Sequence, residues 1–247
     1  EAFYTTDRVM CISLHHRADG VYPGSGGAVD SGEGAGKHHN INLPVTDGLN
    51  DADLAKLLFP VLTAAKERFC PHAVVCCAGA GLLAGDRLGH LNVSLDGHSS
   101  CLKALLEIDA PLLVLGGGGF TQLNTARAWC HATALLCGVE LADELPEHEY
   151  LEYYHPTPSL QVPLAKLENR NDAEKLSALK EHALQTIAAM PQRVPPPPRP
   201  KGAPPPHPTD ALADSSTGAD AGGVPQGGGT ASSPTTGAGV VAEGIAE

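Results

Sequence analysis

This sequence contains two glycine-rich loops whose backbone could come close to a reacting group. Residues 115–121, with four consecutive glycines, follow the apolar run 111–115, and residues 79–89 follow the apolar run 73–78. Glycine has no Cβ, so a loop rich in it can turn sharply and approach another group closely. Each apolar run predicts a buried strand. The pattern therefore predicts two strand-end loops that could line one site.

The order of apolar runs predicts the elements that position these loops. Strands are predicted at residues 9–14, 40–43, 73–78 and 111–115, and helices at residues 51–69, 96–108, 121–141 and 169–190. Asn50 or Asp51 is predicted to cap the first helix, and Asp96 the second. Strands that alternate with helices indicate an α/β fold, a parallel sheet with helices on its faces. Ligands bind where parallel strands end, so both loops are predicted to lie at that edge.

Two pairs of adjacent histidines, His15-His16 and His38-His39, are candidates for a metal cluster at the ends of the loop 15–39. This loop is too long for an ordinary connection, so we predict that it is functional or packs over a site. A zinc site needs three or four ligands, but adjacent strand residues point to opposite faces, so each pair offers at most one. We predict polar loop histidines, with a histidine-based metal-binding or interaction module as the alternative.

The composition limits the classes of function. A net charge of -12 argues against direct binding of nucleic acid, which favours basic surfaces. Seven cysteines without a Cys-x-x-Cys pair predict reduced thiols rather than disulfides or a cysteine zinc site. No apolar stretch has the length of a membrane span. The sequence opens at Glu1, without an initiator methionine, so we expect the chain to begin partway through a domain.

Three segments are predicted along the chain. Residues 1–162 form the folded domain, residues 163–190 a terminal helix and linker, and residues 191–247 a disordered tail. The tail is rich in Pro, Gly, Ala, Ser and Thr and lacks a periodic apolar pattern, so it cannot bury enough surface to offset its ordering entropy. The proline runs between residues 195 and 206 suggest an alternative function for the tail, as a polyproline ligand of an adaptor domain.

A series of motifs in one order resembles the class I zinc-dependent histone deacetylases. The motifs are FYTTDRVM at residues 3–10, PGSG at 23–26, GDRLG at 85–89, LGGGGFT at 115–121, NTARAW at 124–129 and ELP at 144–146. The resemblance covers the carboxyl-terminal half of that domain. It implies part of the arginase/deacetylase fold, a three-layer αβα arrangement around a parallel sheet.

The resemblance also implies a chemistry, the zinc-dependent hydrolysis of the acetyl-lysine amide. In the family a zinc ion held by two Asp and one His activates water, a histidine pair moves protons, and a tyrosine hydroxyl stabilises the oxyanion. Here Gly81 stands at a zinc-ligand position and Phe120 at the tyrosine position, and the other groups fall upstream of Phe3. Because one lost oxyanion donor costs roughly 100- to 1,000-fold in rate, we predict an inactive protein that does not retain zinc. The alternative is an active lysine deacetylase whose upstream half is missing from this chain.

Further site residues follow from the same resemblance. It places Tyr22, Leu88, Gly117 and Gly118 along the acyl-lysine channel. It assigns backbone carbonyls to potassium-type ions, at Phe3, Thr6, Val9 and His39 for one ion and at Ser13 and Leu14 for a second. It matches Arg87 to an inositol phosphate contact, of which the partner position is Leu123, so only a remnant of that anion site is expected.

Partners and location are expected from the resemblance alone. It implies acetylated histone tails as the family's substrate, corepressor or chromatin-associated proteins as partners, and no membrane. The nucleus is the expected location, with the cytoplasm as an alternative. Without the first half of the domain, edges of the sheet would be exposed. We therefore expect a marginally stable or aggregation-prone chain unless a partner or upstream residues cover these edges.

Overall fold

The computed structural model describes residues 2–21, 24–156, 158–195 and 239–244, the last six by their backbone alone. In chain order the elements are β1 Met10–His16, β2 Asn40–Val45, α1 Asp51–Phe69, β3 Ala73–Cys77, α2 Leu95–Leu106, β4 Leu112–Leu115, α3 Gln122–Cys137, α4 Ala173–Ala188 and β5 Gly239–Gly244. Tyr22 lies outside the described residues. Within them, no helix is both long and apolar enough to cross a membrane.

One five-stranded parallel sheet organises the chain, with the strand order β2-β1-β5-β3-β4. Ile12 of β1 lies opposite Ile41 of β2, and Val74 of β3 lies opposite Leu112 of β4. The predicted α/β class with a parallel sheet is confirmed. The carboxyl ends of β3 and β4 meet at one edge, so both glycine-rich loops begin there.

The sheet also contains a strand that the sequence analysis does not predict. β5 lies between β1 and β3, within the segment 191–247 for which the composition predicts a disordered tail. Its Val240-Val241 pair is too short to signal a strand, so the pairing depends on two neighbours distant in sequence. Residues 196–238 and 245–247 lie outside the described residues, and for them the prediction stays a prediction.

A single main core covers one face of the sheet. Alternate residues of β1, β2 and β3 share it with side chains from all four helices. On the opposite face, Asn42 donates its Nδ2 hydrogens to the carbonyls of Gly27 and Asp30, so the loop 17–39 covers part of β2 there. Leu113 and Leu115 of β4 remain 54% and 43% exposed.

The helix boundaries follow local capping. α1 runs over the predicted residues, and Asn50 caps it by accepting a hydrogen bond from the Asp53 N–H at 2.9 Å. α2 begins one residue before the predicted cap Asp96, because Ser94 accepts from the Gly97 N–H at 3.0 Å. The Ser94 hydroxyl in turn donates to Asp51 at 2.5 Å, and this bond ties the start of α2 to the first turn of α1.

The later helices are shorter than predicted. α3 ends at Cys137, four residues before the expected end, because Gly138 takes a left-handed conformation with φ +67°. α4 starts after Asp172, whose carboxylate caps it by accepting from the N–H groups of Glu174 and Lys175. Asn171 precedes this helix because its side chain bonds to the Thr46 backbone.

The Ser94 cap yields a stability prediction. Replacement of Ser94 by alanine removes both the acceptor for the Gly97 N–H and the donor to Asp51, so the free energy of unfolding is expected to fall by about 1–2 kcal/mol. Urea denaturation followed by circular dichroism measures it. Ser100→Ala is the matched control on the same helix, since the Ser100 hydroxyl bonds back to the Gly97 carbonyl of its own helix, and a change of under about 0.5 kcal/mol is expected there. Equal losses in the two variants would contradict the assigned cap.

Candidate functional site

The loops after β3 and β4 form one continuous edge of the sheet. The Ala78 N–H donates to the Leu115 carbonyl at 2.9 Å, and the Ala80 N–H donates to the Gly118 carbonyl at 2.7 Å. The β3–β4 ladder therefore continues into the loops and sets residues 79–89 beside residues 116–121. This is the predicted arrangement of the two glycine-rich loops.

The carboxylate of Asp86 joins the two loops. Its Oδ1 accepts the N–H groups of Leu88 at 3.0 Å and Gly89 at 2.7 Å, within its own loop. Its Oδ2 accepts the N–H groups of Phe120 at 2.6 Å and Thr121 at 3.1 Å, in the other loop. Asp86 is only 9% exposed, and charge-assisted bonds of this kind are stronger than neutral ones. The positions of Leu88 and Phe120 thus depend on this one side chain.

Two glycines are required where the loops touch. A Cβ on Gly89 would lie 1.8 Å from the Gly81 carbonyl oxygen, which no side chain can tolerate. Gly119 has φ +138°, and a Cβ there would lie 2.4 Å from the Thr125 hydroxyl oxygen. The glycine content of the edge therefore follows from the close approach of its two loops.

Gly81 differs from these two glycines. A Cβ added there would meet only the Gly119 backbone nitrogen, at 3.8 Å, which is ordinary van der Waals contact. Its backbone does not take a positive φ, although the residue is buried in a short 3-10 turn at residues 80–82. Packing thus leaves room for a side chain at the position that the resemblance assigns to a zinc ligand.

The other predicted channel residues lie around the same edge. Gly117, Gly118 and Phe120 are partly exposed on the loop after β4, and Leu88 is 56% exposed. The backbone N–H groups of Leu88 and Phe120 both reach Asp86, so these two residues lie close together. Their assignment to an acyl-lysine channel stays a prediction.

The residues predicted to bind potassium-type ions are partly brought together. Phe3 and Thr6 close a turn through a Thr6 N–H bond to the Phe3 carbonyl at 3.2 Å. Gly36 packs so tightly on this turn that a Cβ would lie 2.4 Å from the Tyr4 carbonyl oxygen, and the His39 N–H donates to the Gly36 carbonyl. Val9 lies just before β1, and Ser13 and Leu14 lie on it. The ligand roles themselves stay predictions.

The histidine pairs separate into different surroundings. His16 pairs with Asp47 at 2.8 Å and stacks on His90. The ring of His39 bonds the Lys37 carbonyl at 2.9 Å and is buried. Among the residues that the structure describes, no group of three His, Cys, Asp or Glu side chains is arranged to hold a metal ion. The described residues therefore do not fit a zinc ion.

Of the two positions in the predicted inositol phosphate site, one is exposed and the other is partly buried. Arg87 is exposed, and Leu123 at the partner position is partly buried at the start of α3. The nearby Arg127 has a structural role, because its Nε donates to the Ser159 carbonyl at 2.8 Å and its guanidinium lies over the Tyr154 ring. The anion-site role of Arg87 stays a prediction.

Sequence reasoning did not single out His98 as part of this region. It is 2% exposed and lines a cavity of about 70 Å³ with Cys76 and Cys101, next to the end of β3. Burial lowers the pKa of His98, and burial raises the pKa of both Cys76 and Cys101 to about 12. The imidazole is therefore neutral and the thiols are protonated near neutral pH, so this cluster lacks the thiolate that a reactive cysteine needs.

Comparison with known proteins decides the family. The histone deacetylase domain matches residues 1–136, which is 136 of 247 residues. The chain belongs to the histone deacetylase family. It is 43% identical to "Histone deacetylase 19" of Arabidopsis thaliana over 190 residues. The aligned region covers 77% of this chain and 38% of that protein.

Other histone deacetylases give the same picture. The chain is 41% identical over 190 residues to "Histone deacetylase 1" of Oryza sativa subsp. japonica, covering 77% of this chain and 36% of that protein. It is 42% identical over 187 residues to "Type-1 histone deacetylase 1" of Dictyostelium discoideum, covering 76% of this chain and 38% of that protein. The chain thus spans between one third and two fifths of the length of these histone deacetylases.

The bridge between the loops predicts a large effect of Asp86→Asn. An amide offers one oxygen and one NH₂ in place of two acceptor oxygens, so two of the four N–H donors face another donor. The free energy of unfolding is expected to fall by about 3 kcal/mol, and the amide protons of Phe120 and Thr121 should exchange much faster. Hydrogen exchange with urea denaturation measures both. Asp96→Asn, at an exposed position in the first turn of α2, is the control, and similar losses in both variants would overturn the bridging role.

Buried His98 predicts a dependence of stability on pH. Its folded pKa lies below the ordinary value of 6.5, so on acidification the unfolded chain binds a proton that the folded chain refuses. The His98 contribution is complete above about pH 6.5 and is lost as pH falls below it. His98→Phe should therefore lose less free energy of unfolding than the wild type between pH 7 and pH 5. His72→Phe, at an exposed residue, is the control, and parallel pH profiles for His98→Phe and wild type would contradict the expectation.

Proposed function

We propose that this chain is a histone-deacetylase-like protein that does not hydrolyse acetyl-lysine. The observation that carries the proposal is Gly81, a residue without a donor atom at the family's zinc-ligand position. A catalytic zinc needs three protein ligands with one open position. The described residues at this edge offer no such set, so no step of the mechanism is assigned to the metal.

The surroundings of Gly81 support the proposed loss of a zinc ligand, because packing around Cβ does not require a glycine there. Gly89 and Gly119 must be glycine, because a Cβ would collide with backbone or side-chain atoms. Gly81 has free space in the direction of a Cβ, with its nearest contact at 3.8 Å. A collision at Cβ therefore does not require glycine at position 81.

Phe120 supports the same proposal. Asp86 accepts the Phe120 N–H at 2.6 Å, so the backbone of this residue is held at the loop edge. A phenyl ring at this position cannot donate a hydrogen bond to an oxyanion, whereas a tyrosine hydroxyl could. The loss of one such donor typically costs roughly 100- to 1,000-fold in rate, in addition to the effect of Gly81.

The remaining role that we propose is binding rather than hydrolysis. On the family resemblance, Leu88, Gly117 and Gly118 of the two-loop edge would line a channel for an acylated lysine. Partners in the nucleus, such as corepressor or chromatin-associated proteins, are proposed on the family relationship. A potassium-type ion at the turn of Phe3 and Thr6 is compatible with ligation by backbone carbonyls, which does not depend on side-chain type.

An activity assay tests the proposal. Wild-type protein with added Zn²⁺ is incubated with an acetyl-lysine histone peptide, with "Histone deacetylase 19" of Arabidopsis thaliana as the parallel sample. We expect kcat/KM of the chain at least about 1,000-fold below that of an active deacetylase, since two groups are lost. The single variants Phe120→Tyr and Gly81→Asp show whether either position alone limits turnover. Wild-type turnover within tenfold of the parallel sample, abolished by a chelator, would refute the proposal.

A further inference from the structure

A groove among the helices is separate from the two-loop edge. It has a volume of about 450 Å³ and lies between α2, the end of α3 and the segment that follows α3. This volume is within the range of ordinary ligand sites, about 300–1,000 Å³. None of the described residues that line it belongs to the loops 79–89 and 115–121. A ligand of this groove is therefore bound without contact to Gly81 or Phe120.

The charges of the groove favour a cation. Asp96, Glu140 and Asp143 line it and are exposed, and Lys103 is the one lysine or arginine among its described lining residues. Three carboxylates and one ammonium group leave a net charge of -2. Asp143 accepts the Ser159 hydroxyl, but within the part of the chain that the structure describes none of these carboxylates forms an ion pair. A bound cation would supply the opposite charge.

The end of α3 adds to this negative potential. Ala134 and Leu135 of α3 line the groove, and the helix ends at Cys137. Its last turn carries no basic residue. The C-terminal end of a helix carries a partial negative charge and favours cations. The helix therefore favours the same sign of ligand charge as the carboxylates.

A buried hydroxyl and a histidine add a hydrogen-bond donor to the groove. Ser99 is only 2% exposed, and its hydroxyl oxygen lies 2.7 Å from His131 Nδ1. Since the described residues give this buried hydroxyl no other hydrogen-bond partner, it donates to Nδ1. This bond assigns the ring proton to Nε2, which has no hydrogen-bond partner among the described groups. His131 therefore offers an N–H group to a carbonyl oxygen of a ligand.

Apolar side chains complete the groove. Leu135, Val139 and Leu160 line it, and Leu160 is buried. A methylene chain that ends in an ammonium group can pack on such a wall while its charge stays near the carboxylates. A lysine residue of a peptide combines this methylene chain with a backbone carbonyl oxygen. A free polyamine has the methylene chain and the cation but no acceptor for the His131 N–H, so the groove favours the peptide.

We propose that the groove between α2 and the end of α3 binds an unmodified lysine side chain of a basic peptide. The ammonium group pairs with Asp96, Glu140 and Asp143. The methylene chain packs on Leu160, and a backbone carbonyl of the peptide accepts from His131. Acetylation removes the lysine charge, so this site selects the lysine that is not acetylated. The channel of the proposed function would take an acylated lysine, so the two sites differ in the form of lysine that they bind.

Binding of two matched peptides tests the charge requirement in the full chain. The probe is a fluorescein-labelled decapeptide of glycine and alanine with three lysines, and its control is the same peptide with all three lysines acetylated. Fluorescence anisotropy measures Kd for both at low salt, because salt screens exposed charges. The acetylated peptide should bind at least about tenfold more weakly. Equal Kd values, or no binding of the lysine peptide below about 1 mM, overturn the proposal.

Charge variants locate the site. Asp96→Asn combined with Glu140→Gln removes two carboxylates from the groove. The matched control, Glu174→Gln combined with Glu181→Gln, removes two exposed carboxylates from α4. The groove variant should bind the lysine peptide at least about fivefold more weakly, and the control should stay within about twofold of the wild type. Lys103→Gln should tighten binding by about twofold, since it removes a repelling charge. Equal losses in the two double variants, or no gain from Lys103→Gln, overturn the location.

His131→Phe separates the peptide from a free polyamine. The variant keeps the carboxylates and Lys103 and removes the N–H, so the lysine peptide should bind at least about threefold more weakly. Spermidine has three positive charges and no carbonyl; its affinity, measured by competition against the labelled peptide, should not change in the variant. Circular dichroism checks that the variant is folded. Unchanged peptide affinity in His131→Phe, or spermidine that competes as tightly as the peptide, overturns the assignment of a peptide ligand.

Discussion

The carboxylate of Asp86 is the interaction on which the candidate site depends, because it accepts four backbone N–H groups from two loops that belong to different strands. These bonds involve the main chain of Phe120 and do not require any particular side chain there. The contact between the two loops therefore does not depend on the side chain at position 120. On the proposed function, the loops could keep this contact although their side chains do not supply the chemistry of an active deacetylase.

The sheet combines strands that lie near one another in the sequence with one strand that is distant in sequence. β1, β3 and β4 and the helices between them come from one continuous stretch, and their alternate residues share one core. The centre of the sheet comes from β5, far along the chain. One face of β4 exposes Leu113 and Leu115, so the described part of the chain does not cover its own sheet as a parallel sheet usually requires. The expectation of a marginally stable chain is consistent with this exposure and stays a prediction.

Sequence reasoning succeeded where local signals agree and was incomplete where contacts are long-range. The period of α1, with Asn50 or Asp51 as the predicted cap, gave the right boundaries, and the runs before the glycine loops gave β3 and β4. The cap of α2 was misplaced at Asp96, because Ser94 gains a second bond to Asp51 that only the folded chain brings within reach. β5 carried no local signal. The bridging role of Asp86 could have been suspected from an acidic residue within a glycine-rich loop, but its four partners follow only from the contact between the two loops.

The zinc content of the purified full chain tests the central claim most directly. The exposed Cys130 and Cys137 are replaced by serine to suppress adventitious binding, and the protein is incubated with excess Zn²⁺, gel-filtered against a weak chelator and analysed by elemental analysis. The proposed loss of the metal site predicts far less than one zinc per chain. The contradicting result is one zinc per chain that survives this treatment and remains bound in proportion to folded protein. It would require a set of zinc ligands that does not depend on Gly81.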